Sequence, residues 1–372
     1  MKLHVADNIK AIVPYPPGKP LDELEREYGI TDSIKLASNE NPWGPSPLAV
    51  EAIQGCLTGL HRYPDGSSYY LTRAVADWVG CAPEEIVLGN GSNEVIEFLV
   101  KAFVQAGDEV ITSHPSFLMY QKFVQVRGGE NTVIPLRDMT HDLETISRAV
   151  SERTRLIFLD NPNNPCGTLI SPERFEDFLR SLPETVIVVL DEAYVDFVDP
   201  AERIDVLSRI RKPDGIPAVV ALRTFSKAFG LAGLRVGFGI MHRDIAELLH
   251  RVRQPFNINL PGQVGALAAL KDTAHYEKTL NGTREGRQWL SEQVEELGCR
   301  AYPSHTNFFL IDVRGDATVL YESMLRQGVI VRSMKAYGFP DFIRITVGTE
   351  AENHRFVAAL AKSLKELGYV AG

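Results

Sequence analysis

The segment TVIVVLDEAYVDF, residues 185–197, holds five consecutive apolar residues, Val186 to Leu190, and then an acid, Asp191. A strand with one wet face alternates apolar and polar residues. An unbroken apolar run belongs to a strand covered on both faces, as in a parallel sheet flanked by helices. Similar runs recur at EIVLG (85–89), DEVIT (108–112), NTVIPL (131–136), RLIFLD (155–160) and AVVALRT (218–224). Helix-period segments such as SNEVIEFLVKAFV (92–104) alternate with them. The pattern predicts an α/β fold built on a largely parallel sheet.

The flanks read differently. Residues 1–45 are rich in Pro and Gly and predict an arm that contributes to a smaller lobe, with a short helix over Leu21–Tyr28 and a short strand near Ile34–Leu36. Residues 46–255 are expected to form the large, cofactor-binding domain. Residues 256–372 predict a small α+β domain, which includes a long amphipathic helix from Ala274, strand-like pieces TNFFLIDV and FIRITVG, and a closing helix over 350–367. The two helices on either side of this boundary are broken at QPFNINLPG. No fixed-period repeat is present.

Composition narrows the function classes. The net charge of −9 argues against nucleic acid as a partner, because a phosphate backbone demands a basic face. Cys56, Cys81, Cys166 and Cys299 form no C-x-x-C pair. The histidines His61, His114, His141 and His305 have no metal-ligand spacing, so no metal site is expected. The opening MKLHVADNIKAIVPYPPG has no apolar signal core, and no run approaches the ~18 apolar residues of a membrane span. A cytoplasmic protein with reduced thiols and no membrane partner is the expectation.

In a parallel sheet, ligands sit at the carboxyl ends of the strands. LGNGSNE places Gly89, Gly91, Ser92 and Asn93 at such a strand-to-helix turn, suited either to a phosphate or to a plain capped turn. FLDNPNNPCG ends its strand in Asp160, Asn161 and a Pro/Asn turn. Asp191 is a costly charge in an apolar strand unless it meets a cation or a donor. Thirty-six residues on, past the next strand, comes RTFSKAFGLAGLRVG (223–237), with Lys227 between hydroxyl residues and Arg235 beyond a run of small residues. A lone lysine on a loop is ordinarily a solvated charge. Beside Ser226, Arg235 and small residues that allow close approach, it can instead trap a cofactor aldehyde as an imine.

Together the segments T-x-S-K-A-F-G-L-A-G-L-R-x-G (224–237), NPNNPCGT and DEAYVDF resemble the fold-type I pyridoxal-phosphate aminotransferases. They are most similar to the histidinol-phosphate branch. The resemblance runs from LASNENPWGPSP to RITVGT. It implies an α/β/α large domain plus a smaller α+β domain, and a homodimer. It also implies pyridoxal 5'-phosphate as cofactor, with L-histidinol phosphate and 2-oxoglutarate as the substrate pair. The implied catalytic residues are Lys227, which forms the cofactor imine and moves the substrate's Cα proton, Asp191 on the pyridine nitrogen, and Tyr194 on the ring oxygen. Asn161 shares that oxygen and borders the substrate, and Tyr120 stacks on the ring. Ser92, Asn93, Ser226 and Arg235 hold the phosphate, joined by Tyr63 from the partner subunit. Arg344, Arg332 and the arm residue Tyr15 bind substrate.

Rival expectations are an aromatic amino-acid aminotransferase, a phospho-amino-acid decarboxylase, a nicotinamide dehydrogenase and a non-enzymatic binding module. The dehydrogenase is disfavoured because Glu94 stands where the dinucleotide fingerprint needs its third glycine.

Overall fold

The computed structural model describes residues 3–14, 26, 29–211 and 215–369. The arm helix expected over 21–28 lies, Arg26 apart, outside the described residues, and so does Tyr15. The first described strand is β1 (Ile34–Lys35). The large lobe is built on β2 (Ile86–Gly89), β3 (Glu109–His114), β4 (Glu130–Pro135), β5 (Thr154–Asp160), β6 (Ile187–Asp191), β7 (Ala218–Thr224) and β8 (Gly237–Ile240). They form one sheet in the order β2-β8-β7-β6-β5-β3-β4. Pairings β7-β6-β5-β3-β4 are parallel, and only β8 runs against its neighbours β2 and β7.

Six of these strands coincide with the expected runs. β8 was not expected, because GFGI continues a glycine-rich segment and shows no apolar run. Two of its glycines have a packing reason: a Cβ at Gly237 would stand 2.1 Å from Ser92 N, and one at Gly239 would stand 2.6 Å from Met241 Cε.

Burial on both faces explains the unbroken apolar runs. Val188 and Leu190 of β6 pack with Phe175, Phe178 and Leu179 of the helix Pro172–Arg180. Ile187 and Val189 pack on the other face with Val95, Phe98 and Leu99 of the helix Ser92–Phe103 and with Tyr120.

The first of these cores also takes in Ile258, Ala266, Ala269 and Leu270, so the large lobe extends past the expected boundary at residue 255. The chain crosses to the small lobe along the helix Thr273–Glu296, which packs Tyr276 on the large core and buries Leu290 and Val294 in the small one. The small lobe's antiparallel sheet has the order β12-β13-β10-β9, from β9 (Arg300–Ala301), β10 (Phe308–Asp312), β12 (Arg332–Ser333) and β13 (Phe342–Thr346). β11 (Val329–Ile330) pairs in parallel with β1, and Leu36 enters the small core, so the arm contributes to that lobe. The closing helix Glu350–Leu367 starts in a capping box of Thr349 and Glu352.

Candidate active site at the carboxyl ends of the sheet

A cavity of about 240 Å³ opens where β2, β5, β6 and β7 end and the small lobe's β12 and β13 face them. Lys227, Asp191, Tyr194, Ser92, Asn93, Tyr120, Ser226, Arg235, Arg332 and Arg344 all line it. Lining residues from Gly91 to Arg235 converge because parallel strands deliver their following loops to one edge, and the small lobe adds Arg332 and Arg344.

Asp191 is the last residue of β6 and only 5 % exposed. Its Oδ2 accepts the Tyr120 hydroxyl at 2.7 Å, and its Oδ1 accepts Ala193 N–H at 3.1 Å. Burial, opposed by the Tyr120 hydrogen bond and aided by the Asp160 charge, pushes its pKa up to about 7. Lys227 follows β7. Its Nζ donates to Asn39 O at 3.0 Å and Ser38 O at 3.4 Å, and lies 5.5 Å from the Tyr194 ring centre. Burial, and then the Arg344 charge, lowers its pKa to about 8. The Tyr194 hydroxyl accepts Asn39 Nδ2 at 2.9 Å, and burial raises its pKa to about 12.

At another end of the cavity the helix Ser92–Phe103 begins, with Gly91 as its cap at φ 76°. Ser92 N–H belongs to the unpaired first turn, where an anion is favoured. Arg235, itself at φ 57°, lies so near that a Cβ on Gly91 would meet its Nη2 at 2.5 Å. The buried Oδ1 of Asn93 has no partner among the described residues.

The small lobe brings two guanidinium groups. Arg332 and Arg344 are cross-strand partners on β12 and β13. Arg344 is buried, donates to Ala37 O at 3.0 Å and to Asn164 Oδ1, and lies 5.0 Å from the Phe308 ring centre. Arg332 has no acidic partner among the described residues.

One expected residue stands elsewhere, and two others have distinct surroundings. Asn161 does not line the cavity; its Oδ1 accepts Ile170 N–H at 2.7 Å, and Asn164 lines the wall instead. In NPNNPCG three asparagines offered themselves, and only the path of the turn selects among them. Tyr120 does border the cavity, but its ring stacks on Phe158 at 4.7 Å and its hydroxyl is committed to Asp191. Phe117, three residues earlier, is the half-buried aromatic on the wall. Tyr63 is 83 % exposed, stacks on Phe256 at 4.8 Å and is absent from this chain's cavity.

Sequence reasoning also missed Asn39, whose carbonyl and side chain bridge Lys227 and Tyr194. Its one signal was the polar SNEN cluster in the arm. His141, expected to be structural or superficial, is buried against Asp160.

Comparison with known proteins agrees with this geometry. The family model for aminotransferase class I and II matches residues 31–360. The chain is 65% identical over 370 residues to the histidinol-phosphate aminotransferase of Desulfotalea psychrophila, covering all of this chain and 98% of that protein. It is 44% identical to the protein of the same name from Moorella thermoacetica, over 96% of this chain and 92% of that one. Among solved structures, it superposes with a TM-score of 0.90 and 29% identity, over 99% of both chains, on histidinol-phosphate aminotransferase from Sinorhizobium meliloti in complex with pyridoxal-5'-phosphate.

Proposed function

The chain belongs to the class I and II aminotransferase family, and on that premise we propose that it is a pyridoxal-phosphate enzyme moving the amino group of L-histidinol phosphate to 2-oxoglutarate. The products are imidazole acetol phosphate and L-glutamate, and the step belongs to histidine biosynthesis. The observation that carries the substrate is Arg332 in register with Arg344 on the cavity wall, in a chain so similar to proteins of that name. One guanidinium faces a carboxylate well; two let the same pocket accept a phosphorylated amine and a dicarboxylate in turn.

The residues present fit the cofactor. A buried carboxylate, Asp191, needs a cationic partner, which a protonated ring nitrogen provides. At the helix start Gly91 leaves space that a Cβ would take from the Arg235 guanidinium, and both residues line the cavity. Asp191 would hold the ring nitrogen, Tyr194 and Asn164 the ring oxygen, and Phe117 and Tyr120 the ring's flank. Ser226, Arg235 and the N–H groups of Ser92 and Asn93 would hold the phosphate.

Once bound, pyridoxal phosphate supplies an aldehyde that condenses with amines and a ring that accepts electrons. The protein supplies positioning and proton transfer. Lys227, its pKa lowered to about 8, keeps a usable share of neutral amine near neutral pH. Its Nζ would take the proton from the substrate's Cα and return it to the cofactor's former aldehyde carbon, across the nitrogen that joins the two. Tyr194 and Asn39 fix where that amine sits. Arg332 and Arg344 hold the anionic ends of the substrates so that the Cα–H faces Lys227.

We place the enzyme as a homodimer in the cytoplasm, with Tyr63 reaching the neighbour's phosphate. Leu48, Leu57, Leu60, Tyr69 and Tyr70, exposed apolar and aromatic residues that flank Tyr63 in the sequence, support an apolar surface for a second copy. The free thiols of all four cysteines support a reducing compartment.

The deciding experiment is a half-reaction. The cofactor-loaded enzyme is mixed separately with histidinol phosphate, phenylalanine and a phospho-amino acid, and conversion to the amino form of the cofactor is followed by absorbance. Histidinol phosphate should react fastest at low concentration. Preference for phenylalanine, or release of CO₂ from the phospho-amino acid, would assign one of the rivals.

A further inference from the structure

The chemistry above uses one of two carboxylates that the sheet brings together. Asp160 and Asp191 are register partners at the carboxyl ends of β5 and β6, on the face that packs Tyr120. Asp160 is 3 % exposed and lines the same cavity. Four donors surround it. Its Oδ1 accepts from Ser116 Oγ at 2.7 Å and Asn163 Nδ2 at 3.2 Å, and its Oδ2 from Asn164 N–H at 2.7 Å; His141 Nε2 lies 3.2 Å from Oδ1. His141 Nε2 also faces Asp160 O at 3.0 Å, so both its neighbours are acceptors and it carries the hydrogen. His141 Nδ1 meets Ser113 Oγ at 2.7 Å, which fixes the ring.

A turn alone needs only an acceptor at position 160, and a neutral Asn or Ser side chain would supply one. A carboxylate there adds a like charge beside Asp191, a costly placement in a buried site. That cost registers on Asp191, where the Asp160 charge reinforces the effect of burial.

We infer that Asp160 is a positioning residue for the transamination: held by His141, Ser116 and Asn164 N–H, its charge deepens the negative potential at Asp191 and strengthens the grip on a protonated ring nitrogen. This inference rests on the pyridoxal-phosphate reading of the cavity. Asp160 touches neither the amine nor the substrate's anionic ends, so its effect belongs in cofactor affinity and kcat rather than in KM.

The test titrates the apoprotein with pyridoxal phosphate, using wild type, Asp160→Asn, Asp160→Ser and Asp160→Glu, with steady-state kinetics on the holoenzymes. Asp160→Ser is small and keeps an acceptor for Asn164 N–H, so it covers the case in which Asp160→Asn folds poorly. Both neutral variants should bind the cofactor about tenfold more weakly, as removal of a charge beside a buried ion pair predicts. Their kcat should fall in step while KM for histidinol phosphate stays unchanged, and Asp160→Glu should recover part of both losses. Unchanged affinity in the neutral variants overturns the inference. So does a defect confined to KM, which would mean that the turn had merely released Asn164 from Arg344. A wild-type apoprotein that takes up no pyridoxal phosphate overturns the reading of the cavity, and this inference with it.

Discussion

Burial sets the chemistry of individual side chains here. Lys227 titrates near 8 because its ammonium is desolvated and faces Arg344. In the apoprotein an amine-directed reagent, with labelled lysines identified by mass spectrometry, should modify Lys227 with a midpoint near pH 8, while solvated lysines follow the usual value of about 10.4. A midpoint above pH 10 at Lys227 would remove the argument for a ready base. Asp191 moves the other way, from 3.8 to about 7. Between those values the folded state holds a proton that the unfolded chain has lost. The stability tied to Asp191 is therefore complete below about pH 4 and is lost as pH rises through about 7. Asp191→Asn cannot ionise, so its apoprotein should gain on wild type as pH rises from 4 to 8. At about 1.4 kcal/mol per pKa unit the gap reaches a few kcal/mol. A gap in Tm independent of pH would contradict this. On the role proposed for Asp191, the same variant should bind pyridoxal phosphate poorly, because the ring nitrogen would lose its anionic partner.

Elements matter here mainly by where they end. β2, β5, β6 and β7 end in Gly89, Asp160, Asp191 and Thr224, and the loops beyond them build the cavity. The approach of β8 to the start of the helix Ser92–Phe103 leaves no room for a side chain at Gly237. Gly237→Ala should destabilise the apoprotein by roughly 1–3 kcal/mol, as overpacked sites do, in urea unfolding. It should also weaken pyridoxal phosphate binding, since the displaced atom is Ser92 N. Normal stability and affinity would show that the backbone yields there at no cost. The strand runs and the long helices were legible because their signals are local: apolar continuity, period and caps. β8 was not, because its pairing with β2 and β7 is a long-range fact that four residues of GFGI do not encode. Asn164 was missed, and Asn161 named in its place, for a related reason. Neighbours in a turn point to different sides, and only the turn's path decides which one faces the ligand.

At the scale of the whole molecule, the site needs both lobes and, on our proposal, two chains. Lys227 is held by Asn39 of the arm, and Arg344 of the small lobe reaches Asn164 of the large one. Tyr63 is exposed and outside its own chain's cavity. If it serves the partner's site, Tyr63→Ala and Lys227→Ala proteins, each nearly inactive alone, should complement when dissociated and reassociated together. Half of the dimers would then be mixed, each with one site intact, giving about a quarter of wild-type activity. No recovery, with mixed dimers demonstrated, would place Tyr63 outside the phosphate site. The sequence by itself determined the parallel sheet, the order of its strands along the chain, and the lysine, aspartate and arginine that meet at the cavity, because each is written in a local run or a dense motif. Only the tertiary structure decided which asparagine faces the cavity, that Phe117 joins Tyr120 on its wall, and that Asp160 stands beside Asp191. Those outcomes depend on contacts between residues far apart in the chain, and side-chain direction and burial are fixed only when the strands are laid side by side.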